Sequence, residues 1–288
     1  MPKVLDGAAI AAAIKQEVAQ EVKKLAAQGV RPGLAAVLVG HVPASEIYVK
    51  SKVQTCAELG LYSDLITPPD SVTTEDMLDL VHSLNDRDDI DGILVQLPLP
   101  KQVEAKVLLD AVSPDKDVDG FHPVNAGRLQ AGRPALAPCT PAGIIEILKR
   151  SGLPIAGQHA VIVGRSDIVG KPVAMLLLHE NATITICHSK TKDLGAVTRE
   201  ADILVAAIGR PETITGDYIK PGAVVIDVGS SRVPDPSAPK GTRWAGDVHF
   251  PSASAVAGAI TPVPGGVGPL TIVMLMVNTV KACRLRRG

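Results

Sequence analysis

The sequence predicts an α/β fold in which two domains are each built around a mostly parallel sheet. Short apolar runs that end in a glycine or a polar turn alternate with helical patterns, and this alternation restarts after about residue 140. The 288 residues suit two ordinary domains. Aromatic residues make up only 2% of the chain, so the core must consist of Val, Ile, Leu and Ala, which suit buried parallel strands.

The first half begins with an amphipathic helix at residues 7–28. This segment is rich in alanine, its apolar side chains recur at helical spacing, and Gly29 ends it. The elements predicted after it are a strand at 34–40, a helix from Ser45 to Leu59 stopped by Gly60, a strand at 61–66, a helix capped by Thr73 or Thr74, and a strand at 92–100 halted by prolines.

A segment without strong periodicity separates the halves at residues 113–141. It is rich in Pro, Gly and Asp, and it is long for a simple connection. Loops of this length are usually functional or act as linkers, and a cleft between two domains would make this one both.

The second half repeats the strand–helix pattern and closes with a helix. Proline stands near the first turn of that last helix, where it is tolerated. The predicted elements are a strand at 159–164, a helix at 167–180, strands at 182–187, 201–209 and 223–229, and a helix at 269–284.

Composition favours a cytoplasmic protein that binds neither nucleic acid nor membranes. The net charge is −1, which gives no basic surface for nucleic acid or anionic lipid. The four cysteines lie far apart without a CxxC pair, which indicates a reducing compartment. The start of the chain does not resemble a signal peptide, and apolar stretches such as 271–277 are too short to span a bilayer. Arg284, Arg286 and Arg287 are interpreted as a solvated tail.

The stretch "VIVGRSDIVGKP" at 161–172 has the order strand, glycine turn, helix. Its spacing is Gly164-x-Ser166-x-x-x-Gly170, a weaker signal than GxGxxG, but the flanking elements support a dinucleotide site. Gly164 allows the chain to turn close to a pyrophosphate, and the helix that follows offers free N–H groups. These features predict that the second domain is of the Rossmann type.

The second strand of that domain ends without the carboxylate that usually holds the ribose of NAD. His188, Ser189 and Lys190 stand there instead, and Arg165 occupies the glycine turn. Such side chains suit the 2′-phosphate of NADP, so NADP is the predicted cofactor. The alternative is that they are ordinary polar loop residues.

Tyr48 and Lys52 lie four residues apart on a predicted helix and therefore share one face with Ser45. Short-chain dehydrogenases use a YxxxK pair, but in those enzymes the glycine turn precedes the pair, whereas here it follows. A solvated helix surface is the alternative for an isolated YxxxK.

Several blocks together resemble the methylenetetrahydrofolate dehydrogenase/cyclohydrolase family of bacterial type, in order and spacing, over nearly the whole chain. The blocks are "VGHVPASEIYVKSK" (39–52), "GILVQLPLP" (92–100), "PDKDVDGFHPVNAGRL" (114–129), "PCTPAGI" (138–144), "VGRSDIVGKPVAMLL" (163–177), "ATITICHSKT" (182–191), "VIDVG" (225–229) and "ITPVPGGVGPLT" (260–271).

The resemblance implies two α/β domains around a cleft, usually in a homodimer. Residues 1–140 with the C-terminal helix 268–288 would form the folate-binding catalytic domain, and residues 141–267 the NADP-binding Rossmann domain. The implied function is oxidation of 5,10-methylenetetrahydrofolate to 5,10-methenyltetrahydrofolate with NADP⁺, followed by hydrolysis to 10-formyltetrahydrofolate.

The resemblance also implies the site residues. Lys52 matches the family's central lysine, Tyr48 its stacking tyrosine, Gln96 the partner of the lysine and Asp119 the aspartate that anchors the pterin. The remaining implied contacts are Val95, Leu97, Pro264, Gly265, Gly266, Val267 and Gly268 for the folate, and Gly164, Arg165, Ser166, Ser189 and Ser230 for NADP.

Chemistry supports these roles. A lysine has a reference pKa of about 10.4, so handling a proton near neutral pH requires surroundings that disfavour the ammonium, such as burial and a cationic substrate. A tyrosine ring offers a flat face, and a carboxylate can accept two N–H bonds from an aminopyrimidine edge. The alternative for Asp119 is a turn-capping aspartate in "DVDG".

Metal binding is not predicted. Asp115, Asp117 and Asp119 alternate as in a calcium loop, but Ala126 occupies the closing position that requires glutamate. His122 and Cys139 are interpreted as structural or cleft-lining residues. Departures from the family are Ser230 and Ser231 after "DVG", His249 in "GDVHF", and Leu270 in place of methionine.

Three other functions remain possible from sequence reasoning. The chain could be a dehydrogenase of the same family without hydrolase activity, another two-domain NADP dehydrogenase such as one for shikimate-like acids, or an inactive NADP-binding regulator. The last is disfavoured because Tyr48, Lys52, Gln96 and Asp119 are all intact.

Overall fold

The computed structural model describes residues 1–238 and 241–287. The chain divides into two compact units, and each is discontinuous in sequence. Met1–Ala12 and Thr140–Thr271 form the unit called here the dinucleotide unit. Residues Ala13–Cys139, with the chain from Ile272 onward, form the unit called here the lysine unit.

The lysine unit contains a three-stranded parallel sheet. Gly33–Val37 is the central strand, with Tyr62–Ile66 and Gly92–Val95 on either side, and Val37 pairs with both Ile66 and Val95. All five residues of the central strand are buried, as expected for a parallel strand covered on both faces. The helices within this unit are Pro43–Leu59, Thr74–Asp86, Ala105–Ala111 and Pro123–Gln130.

Local signals define the helix ends in this unit. Gly60, with φ of +82°, follows Pro43–Leu59 in the left-handed region that ends many helices. Thr73 caps the helix Thr74–Asp86, and its side chain and that of Asp76 form a reciprocal capping box. The predicted cap and the predicted glycine stop are both present.

The dinucleotide unit contains a six-stranded parallel sheet. Its strands lie in the order Lys3–Val4, Ala259–Ile260, Val224–Asp227, Ile203–Ala206, His159–Val163 and Thr183–Cys187. A separate antiparallel pair joins Ser231–Pro234 to Thr242–Ala245. The helical elements are Cys139–Arg150, whose first residue lies in the lysine unit, Gly170–His179, Leu194–Thr198, the 3₁₀ turn Gly216–Tyr218, and Phe250–Ser254.

Two long helices contribute residues to both units. Gly7–Ala27 begins in the dinucleotide unit and continues in the lysine unit, and Val267–Arg287 does the same. By length and composition alone Val267–Arg287 could cross a membrane, but 61% of its most apolar stretch is buried inside the protein, and core helices pass the same test.

The structure differs from the sequence prediction in several elements. The segment 113–141 is not an unstructured connection, because it contains the helix Pro123–Gln130 and the start of Cys139–Arg150. The predicted strand 92–100 ends at Val95, and the predicted helix 167–180 begins only at Gly170.

The short strand Lys3–Val4 was not predicted. It pairs with Ala259–Ile260, so the first twelve residues pack with the later part of the chain. The predicted domain boundaries 1–140, 141–267 and 268–288 do not separate these first residues from the rest of residues 1–140. The strand was not predicted because only two residues of each strand pair, and two residues are too few to give a periodic pattern in the sequence.

The interpretation of the C-terminal arginines as a solvated tail was wrong for Arg286 and Arg287, whereas Arg284 is exposed. Arg286 donates to Ile90 O at 2.7 Å and to Asp91 Oδ1 at 2.9 Å, and Arg287 donates to Asp91 Oδ2 at 2.8 Å. Asp91 is fully buried and also accepts the N–H of Gly33 at 2.9 Å. A buried carboxylate requires such partners, and the arginines supply them.

We expect that replacing both Arg286 and Arg287 by Met lowers the free energy of unfolding by about 3 kcal/mol, because Asp91 would stay buried without a cation. Arg284→Met is the matched control in the same turn. Arg284 pairs with Glu21 at a more exposed site, so its loss should cost about 0–1 kcal/mol. Urea unfolding of the three proteins measures the difference. Equal small losses would contradict the assignment.

Candidate active site

Lys52 and Gln96 form a hydrogen-bonded pair in the lysine unit. Lys52 lies on the helix Pro43–Leu59, and only 9% of its surface is exposed. Its Nζ donates to Gln96 Oε1 at 3.0 Å. Gln96 Nε2 in turn donates to Leu97 O at 2.7 Å, which directs the amide oxygen of Gln96 toward the lysine.

Gln96 is placed by the sheet. It directly follows the strand Gly92–Val95, and its backbone N–H donates to Val37 O at 2.9 Å, continuing the ladder by one bond. Val95 is buried, whereas Gln96 and Leu97 are partly exposed. The amide side chain of Gln96 is therefore fixed at the end of the strand, where the chain leaves the core and becomes accessible to solvent.

Tyr48 lies one helical turn before Lys52 and is 43% exposed. Ser45, a further turn back, is buried. The face predicted for Ser45, Tyr48 and Lys52 is thus buried at both ends and open at the tyrosine, so the ring is available to a flat ligand.

Asp119 lies near Lys52 but is not hydrogen-bonded to it. Burial raises the pKa of Asp119 to about 6, the positive charge of Lys52 opposes this rise, and Asp117 adds to it. The carboxyl group is surrounded by protein although part of its surface is accessible. Among the described residues it accepts no hydrogen bond, which leaves its oxygens available to a ligand.

Asp117 holds the turn that carries Asp119. Its carboxylate accepts the N–H groups of Phe121 at 3.1 Å and His122 at 2.9 Å, and the Nδ2 of Asn125 at 2.9 Å. The turn-capping role considered for Asp119 therefore belongs to Asp117. His122 caps the next helix by accepting from Val124 N at 3.1 Å, which agrees with its structural interpretation.

In the dinucleotide unit, Gly164 closes the strand His159–Val163 with φ of +137°. A Cβ at this position would lie 2.1 Å from Ala207 O, and a Cβ at Gly170 would lie 2.3 Å from Gly164 O. The strand, the turn and the helix Gly170–His179 approach each other so closely that only glycine fits at these two positions.

The predicted cofactor residues follow the carboxyl ends of three strands. Arg165 and Ser166 follow His159–Val163, Ser189 follows Thr183–Cys187, and Ser230 follows Val224–Asp227. All four residues are exposed. Carboxyl ends of parallel strands share one edge of the sheet, so the structure places these residues along that edge.

The chemistry of this edge fits a phosphorylated dinucleotide. Ser166 Oγ accepts the N–H groups of Val169 and Gly170 at 3.2 Å and caps the helix start. The exposed Arg165, Ser189 and Lys190 supply a guanidinium, a hydroxyl and an ammonium, a donor set that suits a phosphate. NADP, the predicted cofactor, is compatible with these residues.

The predicted folate loop Pro264, Gly265, Gly266, Val267 and Gly268 belongs to the dinucleotide unit. Gly265 has φ of +100°, and its carbonyl accepts the N–H of Ala8 at 3.1 Å. A Cβ at Gly7 would lie 1.8 Å from Gly266 O, so the start of the first helix packs directly against this loop.

Sequence reasoning missed a buried carboxyl pair in the dinucleotide unit. Asp227 accepts the N–H groups of Gly229, Asp247 and Val248, and Asp247 accepts those of Ile208 and Gly209. Burial raises the pKa of both carboxyl groups, that of Asp227 to about 6. The acids in "DVG" and "GDV", each within two residues of a glycine, were the available signal.

No cluster of three or more His, Cys, Asp or Glu side chains in the described ranges is arranged to hold a metal ion. The three aspartates that resemble a calcium loop lie in three different surroundings. Asp117 binds backbone amides, Asp115 pairs with Arg128 at 3.5 Å, and Asp119 stands beside Lys52.

A glycine turn on a parallel sheet, together with a buried lysine beside a carboxylate, defines a dinucleotide-dependent enzyme of two α/β units. Comparison with family models narrows this class. Residues 5–119 match the tetrahydrofolate dehydrogenase/cyclohydrolase catalytic domain, and residues 138–287 match the NAD(P)-binding domain of the same family. The chain belongs to the tetrahydrofolate dehydrogenase/cyclohydrolase family.

Individual relatives agree with this assignment. The chain is 62% identical to the bifunctional protein FolD of Koribacter versatilis, over 99% of this chain and 98% of that protein. Among solved structures, the Campylobacter jejuni FolD methylenetetrahydrofolate dehydrogenase/cyclohydrolase is 43% identical with a TM-score of 0.95, covering 99% of this chain and all of that one. The Trypanosoma brucei enzyme, solved with NADP and an inhibitor, is 42% identical with a TM-score of 0.94 and full coverage of both chains.

These similarities confirm the predicted fold class, the predicted family and the predicted pair of activities, methylenetetrahydrofolate dehydrogenase and methenyltetrahydrofolate cyclohydrolase. The predicted cofactor, NADP, is confirmed as well. The predicted site residues remain predictions.

We expect kcat/KM for methylenetetrahydrofolate to fall as the pH drops through about 6. Asp119 gains a proton there and loses one of its two acceptor sites. Asp119→Asn, which is uncharged at every pH, should start from a low value and lose this inflection. The control is kcat/KM for NADP⁺ at saturating folate. An unchanged inflection in the variant would assign the titration to another group.

Proposed function

We propose that Lys52, Gln96, Tyr48 and Asp119 perform both steps of the bifunctional reaction at one site. The observation that supports this most strongly is the buried Lys52, held by Gln96 at 3.0 Å beside a carboxyl group without a hydrogen-bond partner in the described chain. A buried amine, a fixed amide and an available acceptor are the groups that a folate substrate and a proton transfer require.

Binding of the folate would use the two accessible groups. The Asp119 carboxylate accepts N–H bonds from the aminopyrimidine edge of the pterin, and the exposed ring of Tyr48 stacks on its face. We include Val95 and Leu97 in the folate site on the family resemblance. When bound, NADP⁺ would supply the acceptor for the hydride of the methylene carbon.

The hydrolytic step needs a group that takes a proton from water. The water oxygen attacks the methenyl carbon, the bond between that carbon and N5 breaks, N5 takes up one proton of the water, and the formyl group remains on N10. Lys52 receives the proton of the attacking water, a step that its neutral amine can perform.

The orientation of Gln96 suits both protonation states of Lys52. Its Nε2 is committed to Leu97 O, so Oε1 faces the lysine and accepts an N–H from either ammonium or amine. The lone pair of the neutral amine is then directed away from Gln96.

For the cofactor, we propose that the turn at Gly164 receives the pyrophosphate, and that Arg165 and Ser189 hold the 2′-phosphate. Ser166 and Ser230 complete the site. The N–H groups of Gly170 and Lys171 at the helix start bond to Ser166, so they are not counted among the phosphate donors. Support comes from the glycine-only approach at Gly164 and from the exposed donors that follow the strand ends.

We further propose that the enzyme works as a cytoplasmic homodimer that does not use nucleic acid or membranes. The net charge of −1 and the family resemblance support this assignment. Light scattering of the purified protein, which should give twice the chain mass of 29.9 kDa, is the direct measurement.

We expect Lys52→Met to lose at least about 100-fold in cyclohydrolase rate, because general acid–base catalysis contributes about 10²–10⁴-fold. Conversion of methenyltetrahydrofolate to the formyl product, followed by absorbance, measures it. Lys50→Met is the matched control, since Lys50 is exposed on the same helix and should be dispensable. Full hydrolase activity in Lys52→Met would exclude the proton-transfer role.

We expect Arg165→Ala with Ser189→Ala to raise the KM for NADP⁺ by roughly 10- to 100-fold, because hydrogen bonds to a charged phosphate are worth about 1.5–3 kcal/mol. The KM for NAD⁺ should change little, since NAD lacks the 2′-phosphate. Steady-state assays with both cofactors give the comparison. Equal effects on the two cofactors would contradict the assignment of these residues to the 2′-phosphate.

A further inference from the structure

Asn278 links two backbone segments next to Asp119. It lies on the helix Val267–Arg287 and is only 5% exposed. Its Nδ2 donates to Val118 O at 2.8 Å and to Ala137 O at 2.8 Å. An amide nitrogen has two N–H groups, and the two backbone carbonyls are its nearest acceptors, while Cys139 Sγ lies farther away at 3.7 Å.

The two segments approach each other without a layer of side chains between them. Gly120 has φ of +72°, and a Cβ there would lie 2.5 Å from Pro138 N and 2.7 Å from Leu136 O. The turn that carries Asp119 therefore rests on the backbone of residues 136–138. Asn278 donates a hydrogen bond to each of the two segments and thereby stabilises their contact.

The carbonyl of Val118 has a second hydrogen-bond donor, the thiol of Cys139. Cys139 Sγ lies 3.4 Å from Val118 O, and burial, with a contribution from Asp119, raises the pKa of the Cys139 thiol well above its ordinary value. The thiol thus keeps its proton and can donate. Val118 O receives one strong and one weak hydrogen bond.

Asp119 itself depends on its neighbours for its position. In the described part of the chain its carboxyl group makes no hydrogen bond, so no direct partner fixes it. Asp117 anchors the residues that follow the turn, through Phe121 and His122, and Asn278 anchors the residue that precedes Asp119. The backbone on both sides is held while the side chain stays available.

We propose that Asn278 is a positioning residue that places Asp119 for binding of the folate. This inference rests on the proposed role of Asp119 and extends it to a residue that contacts neither Lys52 nor Gln96 through any bond described above. Loss of its two donors lets the turn move relative to Lys52, and small displacements of a binding group can cost up to about 100-fold.

The test uses Asn278→Leu, which has a similar volume and no donors, in the full-length enzyme. We expect the KM for methylenetetrahydrofolate to rise roughly 10- to 100-fold, with the KM for NADP⁺ unchanged. Asn278→Ser, which keeps one short donor, should have an intermediate effect. It also serves as the test if the leucine variant does not fold.

Lys281→Met is the matched control. Lys281 lies on the same helix and donates to Ala135 O at 2.7 Å, so it ties the helix to the same segment without contacting Val118. Its replacement should leave both KM values unchanged. A rise equal to that of Asn278→Leu would show that any bond from this helix suffices, and would overturn the assignment.

A double-mutant cycle with Asp119→Ala separates the two proposals. If Asn278 acts through Asp119, its effect on the KM for folate disappears when Asp119 is already absent. Effects that add fully, an unchanged KM in Asn278→Leu or Asn278→Ser, or an equal rise in the KM for NADP⁺ would each overturn the inference. An Asp119→Ala variant with an unchanged KM for folate would instead refute the proposed role of Asp119.

Discussion

Parallel pairing of strands is the constraint on which both units depend. It requires apolar strands covered on both faces, and it brings the carboxyl end of every strand in a sheet to one edge. Gln96 and the glycine turn at Gly164 both occupy such strand ends, one in each unit. The same architecture therefore gives the Gln96 amide and the glycine turn at Gly164 a rigid base. Both stand just beyond a strand, while the strands themselves form the core.

Buried polar side chains stabilise the loops outside the sheets by hydrogen bonds to the backbone. Asp117, Asp227 and Asp247 each accept backbone N–H groups, and Asn278 donates to backbone carbonyls. Lys116 is the cationic counterpart, because its Nζ donates to the carbonyls of Leu84, Asn85 and Arg87 at the end of a helix. In this way, backbone N–H and C=O groups that have no partner in a helix or a sheet still form hydrogen bonds. The carboxyl group of Asp119, which we propose binds the folate, is left without a hydrogen bond in the part of the chain that the structure describes.

Most of the fold could be predicted from the sequence because its signals are local. The strand Gly33–Val37, the capping box at Thr73 and the glycine stop at Gly60 each depend on a few adjacent residues. The partnership of Lys52 with Gln96 came from a family resemblance, since no local pattern links residues 44 positions apart. What was missed depends on distant contacts. The strand Lys3–Val4 exists only through Ala259–Ile260, and Asn278 lies in an apolar helix where its target, Val118 O, is 160 residues away.

The C-terminal helix has a consequence for how the lysine unit folds. Asn278, Arg286 and Arg287 are separated from the rest of this unit by the whole segment Thr140–Thr271, and their bonds to Val118 and Asp91 span 160, 195 and 196 residues. Ordering of the Asp119 turn and pairing of the buried Asp91 therefore require closure of a loop that contains most of the dinucleotide unit. Contacts between residues so distant in sequence form slowly, because the entropy of loop closure is lost before the contact stabilises the fold.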